Sequence, residues 1–147
     1  METLPYEIGE TGHALRKTFT RRAASLGVTG AQAKVILRLA IRPGMRQVEL
    51  ADLLDIEPIT LSRIIDRLEE AGHVERVADP SDRRAWRLQV TAAAQPLIGK
   101  IKSVVAEVID EAFSGIDPKD IEIARQVLAQ ARENLSRGPQ LNRASNA

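Results

Sequence analysis

The sequence predicts a mainly α fold with a small β-wing, and three observations between Gln47 and Thr91 carry that prediction. Leu61, Ile64, Ile65, Leu68 and Ala71 recur mostly at three- and four-residue intervals. One apolar stripe of a helix therefore packs inward, leaving Thr60, Ser62, Arg63, Asp66 and Arg67 toward solvent. Only Asp55, Ile56 and Glu57 separate this helix from a shorter one before it, a connection of helix-turn-helix length. Beyond Gly72 the period falls from 3.6 to 2: Val74 to Ala78 reads as a strand, and Trp86, Leu88 and Val90 then alternate with Arg87, Gln89 and Thr91. Two helices, a short turn and a hairpin follow one another in the order of a winged helix-turn-helix.

The remaining elements bring the helices to six. From Tyr6 to about Leu26, Ile8, Leu15, Phe19, Ala23 and Leu26 mark one amphipathic helix, which Gly27 breaks. Thr29 suits the N-cap of a second helix reaching Ile41, with Val35, Ile36, Leu39 and Ala40 apolar. Arg42 to Met45 reads as a turn. The first helix of the pair runs from about Arg46 to Leu54 with Val48, Leu50, Ala51 and Leu54 apolar, and Asp55 can take the left-handed conformation such turns require. Pro58 fits the first position of the second helix, where its missing N–H costs nothing, and Gly72 can close it. Asp79 to Arg84 form the wing's turn-like tip. Leu97, Ile98, Ile101, Val104, Val105, Val108, Ile109 and Ala112 give a fifth helix a stripe too broad for one neighbour, with Pro96 in its opening turns. After Gly115, Asp117 as N-cap and Pro118 at the first position start a last helix carrying Ile121, Ala124, Leu128, Ala131 and Leu135. The Gly-, Pro-, Asn- and Ser-containing stretch 137–147 reads as a flexible tail.

Composition narrows the function classes. At 147 residues the chain supports one domain. A net charge of +1 says little about a polyanionic partner, and from Glu57 to Thr91 there are six arginines against seven acids, so binding to DNA must depend on where charges sit. Arg83, Arg84 and Arg87 fall within five residues free of acids. The absence of cysteine excludes disulfides and thiol chemistry within the chain, and two histidines are too few for a His-rich metal cluster. No signal peptide or 18-residue apolar span is visible, which leads to the expectation of a cytoplasmic protein away from membranes. Neither a phosphate-cradling glycine loop nor a nucleophile elbow appears, so catalysis and cofactors are not expected. Arg63, in the first two turns of its helix, suits bidentate contact with guanine O6 and N7. Thr60 and Ser62 suit a phosphate or a thymine methyl. Trp86 shares an alternating face with Leu88 and Val90 and reads as core.

Four segments, in order, resemble the MarR/SlyA family of bacterial transcriptional regulators: Gln47-Val48-Glu49-Leu50-Ala51, Ile56 to Arg63, Leu68-Glu69-Glu70-Ala71-Gly72, and Asp82-Arg83-Arg84-Ala85 running to Val90-Thr91. The likeness extends more loosely from Ile8 to Leu135. It departs at Ala33, where many members carry tryptophan, and at Asp55, where glycine is usual. The resemblance implies a DNA-binding part over about 30–91 and dimerisation helices over about 6–26 and 92–136. It implies DNA contacts from Pro58, Thr60, Ser62, Arg63, Arg67, Asp82, Arg83 and Arg84. Among these, Arg84 would enter the minor groove, Arg83 would meet a phosphate, and Asp82 would steady the tip by pairing with an arginine or by an Asx turn. His73, where the family prefers an aliphatic residue, would pack at the wing base. His13, Arg16 and Lys17 lie on the first helix, beside which the family lodges small aromatic or amphiphilic effectors. The function implied is a homodimeric repressor of a pseudo-palindromic operator on double-stranded DNA, modulated by a small molecule. The alternatives are a ligand-independent global regulator competing with nucleoid proteins, and a winged-helix protein-interaction module that does not bind DNA.

Overall fold

A computed structural model describes residues 2–138 of the chain, in two compact units, Met1–Ile109 and Asp110–Ala147. The first unit opens with α1 (Leu4–Ala23), whose end tightens into a 3₁₀ turn over Ala24–Leu26. α2 (Gly30–Ile41) begins with a reciprocal cap: the Gln32 N–H donates to Thr29 Oγ1 at 3.1 Å, and the Thr29 N–H donates to Gln32 Oε1 at 3.0 Å. Then come β1 (Met45–Arg46), α3 (Gln47–Leu54), α4 (Pro58–Glu70), β2 (Val74–Asp79), β3 (Asp82–Val90), a 3₁₀ turn over Ala92–Ala94, and α5 (Gln95–Ala112).

Local chemistry sets the joints around α4. Asp55 adopts φ 51°, ψ 47°, the left-handed conformation expected of it, and Pro58 opens the helix. At the other end Gly72 has φ 80°, the Gly72 N–H donates to Glu69 O at 3.0 Å and the His73 N–H donates to Leu68 O at 2.9 Å. This paired return of bonds is a Schellman closure, and it satisfies two carbonyls the helix end would otherwise leave unmet.

The wing is a three-stranded antiparallel sheet in the order β1-β3-β2. Met45 pairs with Leu88 and Arg46 with Arg87, so Met45 and Arg46, read from sequence as the end of a turn and the start of a helix, instead form an edge strand. Two residues carry too little periodicity to announce themselves. The predicted six-residue tip also contracts, since β3 already starts at Asp82 and puts Arg83 and Arg84 on a strand. The core gathers α2 (Ala33, Val35, Ile36, Leu39), α3 (Leu50, Ala51), α4 (Leu61, Ile65, Leu68), the sheet (Met45, Val74, Leu88) and α5 (Ile98, Ile101). Each fully buried Leu or Ile contributes about 1.5–3 kcal/mol relative to exposure. In the helix-turn-helix pair, two residues assigned to apolar faces, Val48 and Ala71, are exposed. Val48 lies on the far side of a two-turn helix from Leu50 and Ala51, and Ala71 sits past the end of α4. Trp86, expected in the core, is 49% exposed and instead lines the clefts where β3 faces the starts of α3 and α4, beside Gln47, Val48 and Pro58.

In the second unit α6 (Pro118–Ser136) is capped by Asp117, whose Oδ1 accepts from the Lys119 N–H at 2.9 Å. It contains no buried residue, and Ile123, Val127 and Leu135 are exposed. The stretch 139–147, most of the expected tail, lies outside the described residues.

Candidate nucleic-acid interface

The face formed by α4 and the wing carries most of the charged side chains that the sequence singles out. Pro58, Thr60, Arg63 and Arg67 are exposed along α4, and Arg83 and Arg84 are exposed on β3. None of these four arginine side chains has a protein partner among the described residues. A cleft of about 210 Å³ runs between the two elements, lined by Arg46, Gln47, Val48, Pro58, Arg84, Ala85 and Trp86. Unpaired guanidinium groups on a convex helix and on the strand beside it are suited to a polyanion whose charges lie on two ridges.

Two of the neighbouring acids on α4 are held elsewhere. Asp66, a natural partner for Arg63 on the helix surface, lies 2.7 Å from Arg76 Nη1, and Glu69 Oε1 lies 3.2 Å from the same atom. Ser62 does not join the exposed row. It is half-buried, and its carbonyl accepts from Arg76 Nη2 at 3.2 Å, because its position on α4 turns it toward β2.

A second acid organises the wing. The Asp79 side chain is fully out of solvent; Oδ1 accepts from the Ser81 N–H at 2.9 Å and the Ser81 hydroxyl at 2.7 Å, while Oδ2 accepts from Arg46 Nε at 2.8 Å and Arg87 Nε at 3.1 Å. These contacts hold its carboxyl far below the ordinary range. The Ser81 backbone N–H contributes most, then the Ser81 hydroxyl, then the charges of Arg46 and Arg87, against the opposing effect of burial. Arg87 also donates to Gly44 O at 3.0 Å, which ties the wing to the turn before β1. The pairing with arginine expected of Asp82 thus belongs to Asp79. Asp82 instead accepts from the Arg84 N–H at 2.9 Å, the Asx turn that was the other reading.

His73 sits half-buried at the wing base, its N–H bonded to Leu68 O and its carbonyl accepting from the Thr91 N–H at 3.0 Å. A separate cavity of about 390 Å³ lies among α1, α2 and α5, with Leu15, Phe19, Leu37 and Val105 on its walls and Arg16, Lys34 and Arg38 among its lining. Of the three residues suggested for an effector, only Arg16 reaches it; His13 and Lys17 are exposed elsewhere on α1. Among the described residues no group of three or more His, Asp or Glu side chains is placed to hold a metal ion, and no single helix is long and apolar enough to cross a membrane.

Arg76, Asp79 and Arg46 escaped the reading of the sequence. One signal was present for Arg76: it shares strand parity with buried Val74, and a charged residue on an inward parity needs a partner. Nothing local distinguished Asp79 from Asp82.

The family model described as MarR family matches residues 26–85. Among solved structures, the transcriptional regulator PA3341 shares 35% identity with a TM-score of 0.82, over 90% of this chain and 98% of that one. The transcriptional regulator SlyA shares 26% identity with a TM-score of 0.78, over 91% of this chain and 94% of that one. A point mutant of MarR from E. coli, complexed with operator DNA, shares 22% identity with a TM-score of 0.75, over 88% and 95% of the two chains, a likeness of fold.

Proposed function

The chain belongs to the MarR family of winged-helix transcriptional regulators, and from that premise we propose that it works in the cytoplasm as a homodimeric repressor of a pseudo-palindromic operator. One observation carries the DNA-binding reading. Arg63, Arg67, Arg83 and Arg84 are exposed and unpaired, while Asp66, Glu69 and Asp79 beside them are bound to other arginines. α4 enters the major groove, where Arg63 bridges guanine O6 and N7 while Thr60 and Arg67 meet the flanking backbone. The wing lies along the adjoining minor groove, with Arg84 inserted and Arg83 on a phosphate.

The dimer reading is supported by apolar residues left exposed at both ends of the chain, Leu4, Tyr6 and Ile8 on α1 and Ile123, Val127 and Leu135 on α6, since exposed apolar patches mark association. Two copies then present two α4 helices to successive major grooves. An effector is supported by the cavity among α1, α2 and α5: apolar walls with Arg16, Lys34 and Arg38 at hand fit an aromatic carboxylate.

Selection from random DNA tests the reading. Wild-type protein should enrich an inverted repeat whose half-sites lie about 10 bp apart, centre to centre, and a half-turn insertion should abolish tight binding. Benzoate-class carboxylates should lower affinity for that DNA, and less so in Arg38→Gln. Failure to enrich any DNA overturns the regulator reading in favour of a protein-interaction module; enrichment unaffected by any aromatic acid removes the effector alone.

A further inference from the structure

We propose that Arg76 is a positioning residue for DNA recognition, one that withdraws two carboxylates of the recognition helix from the approaching phosphates. The proposal rests on the DNA-binding reading and adds to it a residue that touches no DNA.

The side chain of Arg76 projects from β2 and is only 15% exposed. Its partners lie on one flank of α4 and on the start of α3: Asp66 and Glu69 on Nη1 at 2.7 and 3.2 Å, the Ser62 carbonyl and hydroxyl on Nη2 at 3.2 and 3.5 Å, and Gln47 Oε1 on Nε at 3.4 Å. The backbone N–H of Arg76 also donates to Glu69 Oε2 at 3.3 Å. Every nitrogen of the guanidinium is therefore engaged by the protein, and none is left for a phosphate. Ser62, Asp66 and Glu69 are spaced by four and then three residues, so they form one flank of α4, beside the row of Thr60, Arg63 and Arg67.

Charge makes the arrangement consequential. α4 carries Arg63 and Arg67 against Asp66, Glu69 and Glu70; taken alone it is an acidic helix, a poor one to set against a polyanion. Asp66 and Glu69 remain 56% and 46% exposed even when paired. Their ion pairs thus add little to folding in water, yet the carboxylates lie well within a Debye length of phosphates at the groove edge. Arg76 cancels them in place, and it also denies Arg63 its nearest acid, leaving that side chain free for a base.

The test uses DNA selected by the wild-type protein, titrated by fluorescence anisotropy over a salt series. Arg76→Gln should lose roughly 10-fold or more in affinity at low salt, with the deficit shrinking as salt rises and screening sets in. Arg76→Gln combined with Asp66→Asn and Glu69→Gln should recover to within about 3-fold of wild type, because removing the carboxylates replaces the function of the cation that masks them. Arg76→Lys should fall between wild type and Arg76→Gln. Trp86, the chain's one tryptophan, lines the same cleft as Arg76, and its emission reports whether that cleft persists in each variant. An Arg76→Gln variant that binds like wild type, or a triple variant no better than the single one, overturns the proposal. So does a deficit independent of salt, which would mark Arg76 as packing only. Should Arg76→Gln misfold, the triple variant and Arg76→Lys carry the comparison. Loss in Arg63→Ala alongside unchanged binding by Arg76→Gln would sink this proposal while leaving the DNA-binding reading intact.

Discussion

α4 and α6 begin alike, each with proline at its first position and an amphipathic run behind it, and they end in opposite circumstances. α4 buries Leu61, Ile65 and Leu68 completely or nearly so against its own chain, whereas α6, six residues longer at 19, buries none. The apolar residues of α6 also gather on one side of their helix, if less sharply than those of α4. An amphipathic pattern states that a helix has a face to hide, and says nothing about which molecule hides it. For α4 the cover is α2, α3 and the sheet; for α6 the proposed cover is a second copy.

The largest effects should separate the two helices by concentration dependence. Ile65→Ala empties a fully buried site and should cost about 2–5 kcal/mol in urea unfolding, the truncation being felt whether or not the protein is dilute. Ile123→Asp with Val127→Asp should halve the sedimenting mass from twice 16.1 kDa to one chain. A wild type that sediments as a single chain at micromolar concentration removes the dimer and, with it, this account of α6.

The same contrast extends to charge. Arg63→Ala should weaken selected DNA by about 1–3 kcal/mol and relax preference at one base pair per half-site, and Arg84→Ala should lower the salt slope by about one contact per wing. Arg125 on α6 is already bonded to Glu122 at 2.6 and 2.9 Å, so Arg125→Ala should leave DNA affinity alone. Comparable losses at Arg125 and Arg63 would show that net charge, not the α4 and wing face, controls binding.

Each region also holds one carboxylate below its ordinary range. Glu122 is lowered to about 2, chiefly by the Arg125 side chain and then by Gln126, in an open setting. Asp79 lies lower still and is enclosed. A depressed carboxyl stabilises the fold above its unfolded value, about 3.9 for Asp, and that stabilisation fades as pH falls through the folded one. Thermal melts of wild type should therefore drop below about pH 4, and Asp79→Asn should flatten that limb while lowering stability at neutral pH. Glu122→Gln should leave the profile nearly unchanged, because solvent screens its pair. A flattened profile in Glu122→Gln alone would reverse the assignment.

The smallest effects lie at the turns that admit the two helices. Asp55 enters the left-handed region at φ 51° before α4, and Gly115 does so at φ 77° before α6. Asp55→Gly should change stability by only a few tenths of a kcal/mol. Gly115→Ala should cost about 1 kcal/mol, the penalty of placing a Cβ against the following carbonyl. Asp55→Ala adds no Cβ and should cost less, losing only the local polar contacts by which aspartate tolerates this conformation. A Gly115→Ala variant as stable as wild type would mean that the turn relaxes.

What the sequence determined by itself was whatever depends on neighbours a few residues apart. The Thr29 and Asp117 caps, proline at the start of α4 and α6, the left-handed Asp55, the Gly72 closure and the inward stripe of α4 are all short-range, since bond rotation and hydrogen bonds across one turn decide them. Exposure of Thr60, Arg63 and Arg67 followed from the same helical period. Tertiary structure alone decided the pairings between distant residues. Arg46 meets Asp79 across 33 positions and Arg76 meets Gln47 across 29, and the sheet register that brings such groups together leaves no trace in either local stretch. It was that register that chose Asp79 over Asp82, set Arg76 against Ser62 and Asp66 on one flank of α4, and drew Met45 and Arg46 into a strand. Periodicity specifies a face; only packing against a particular neighbour specifies what that face meets.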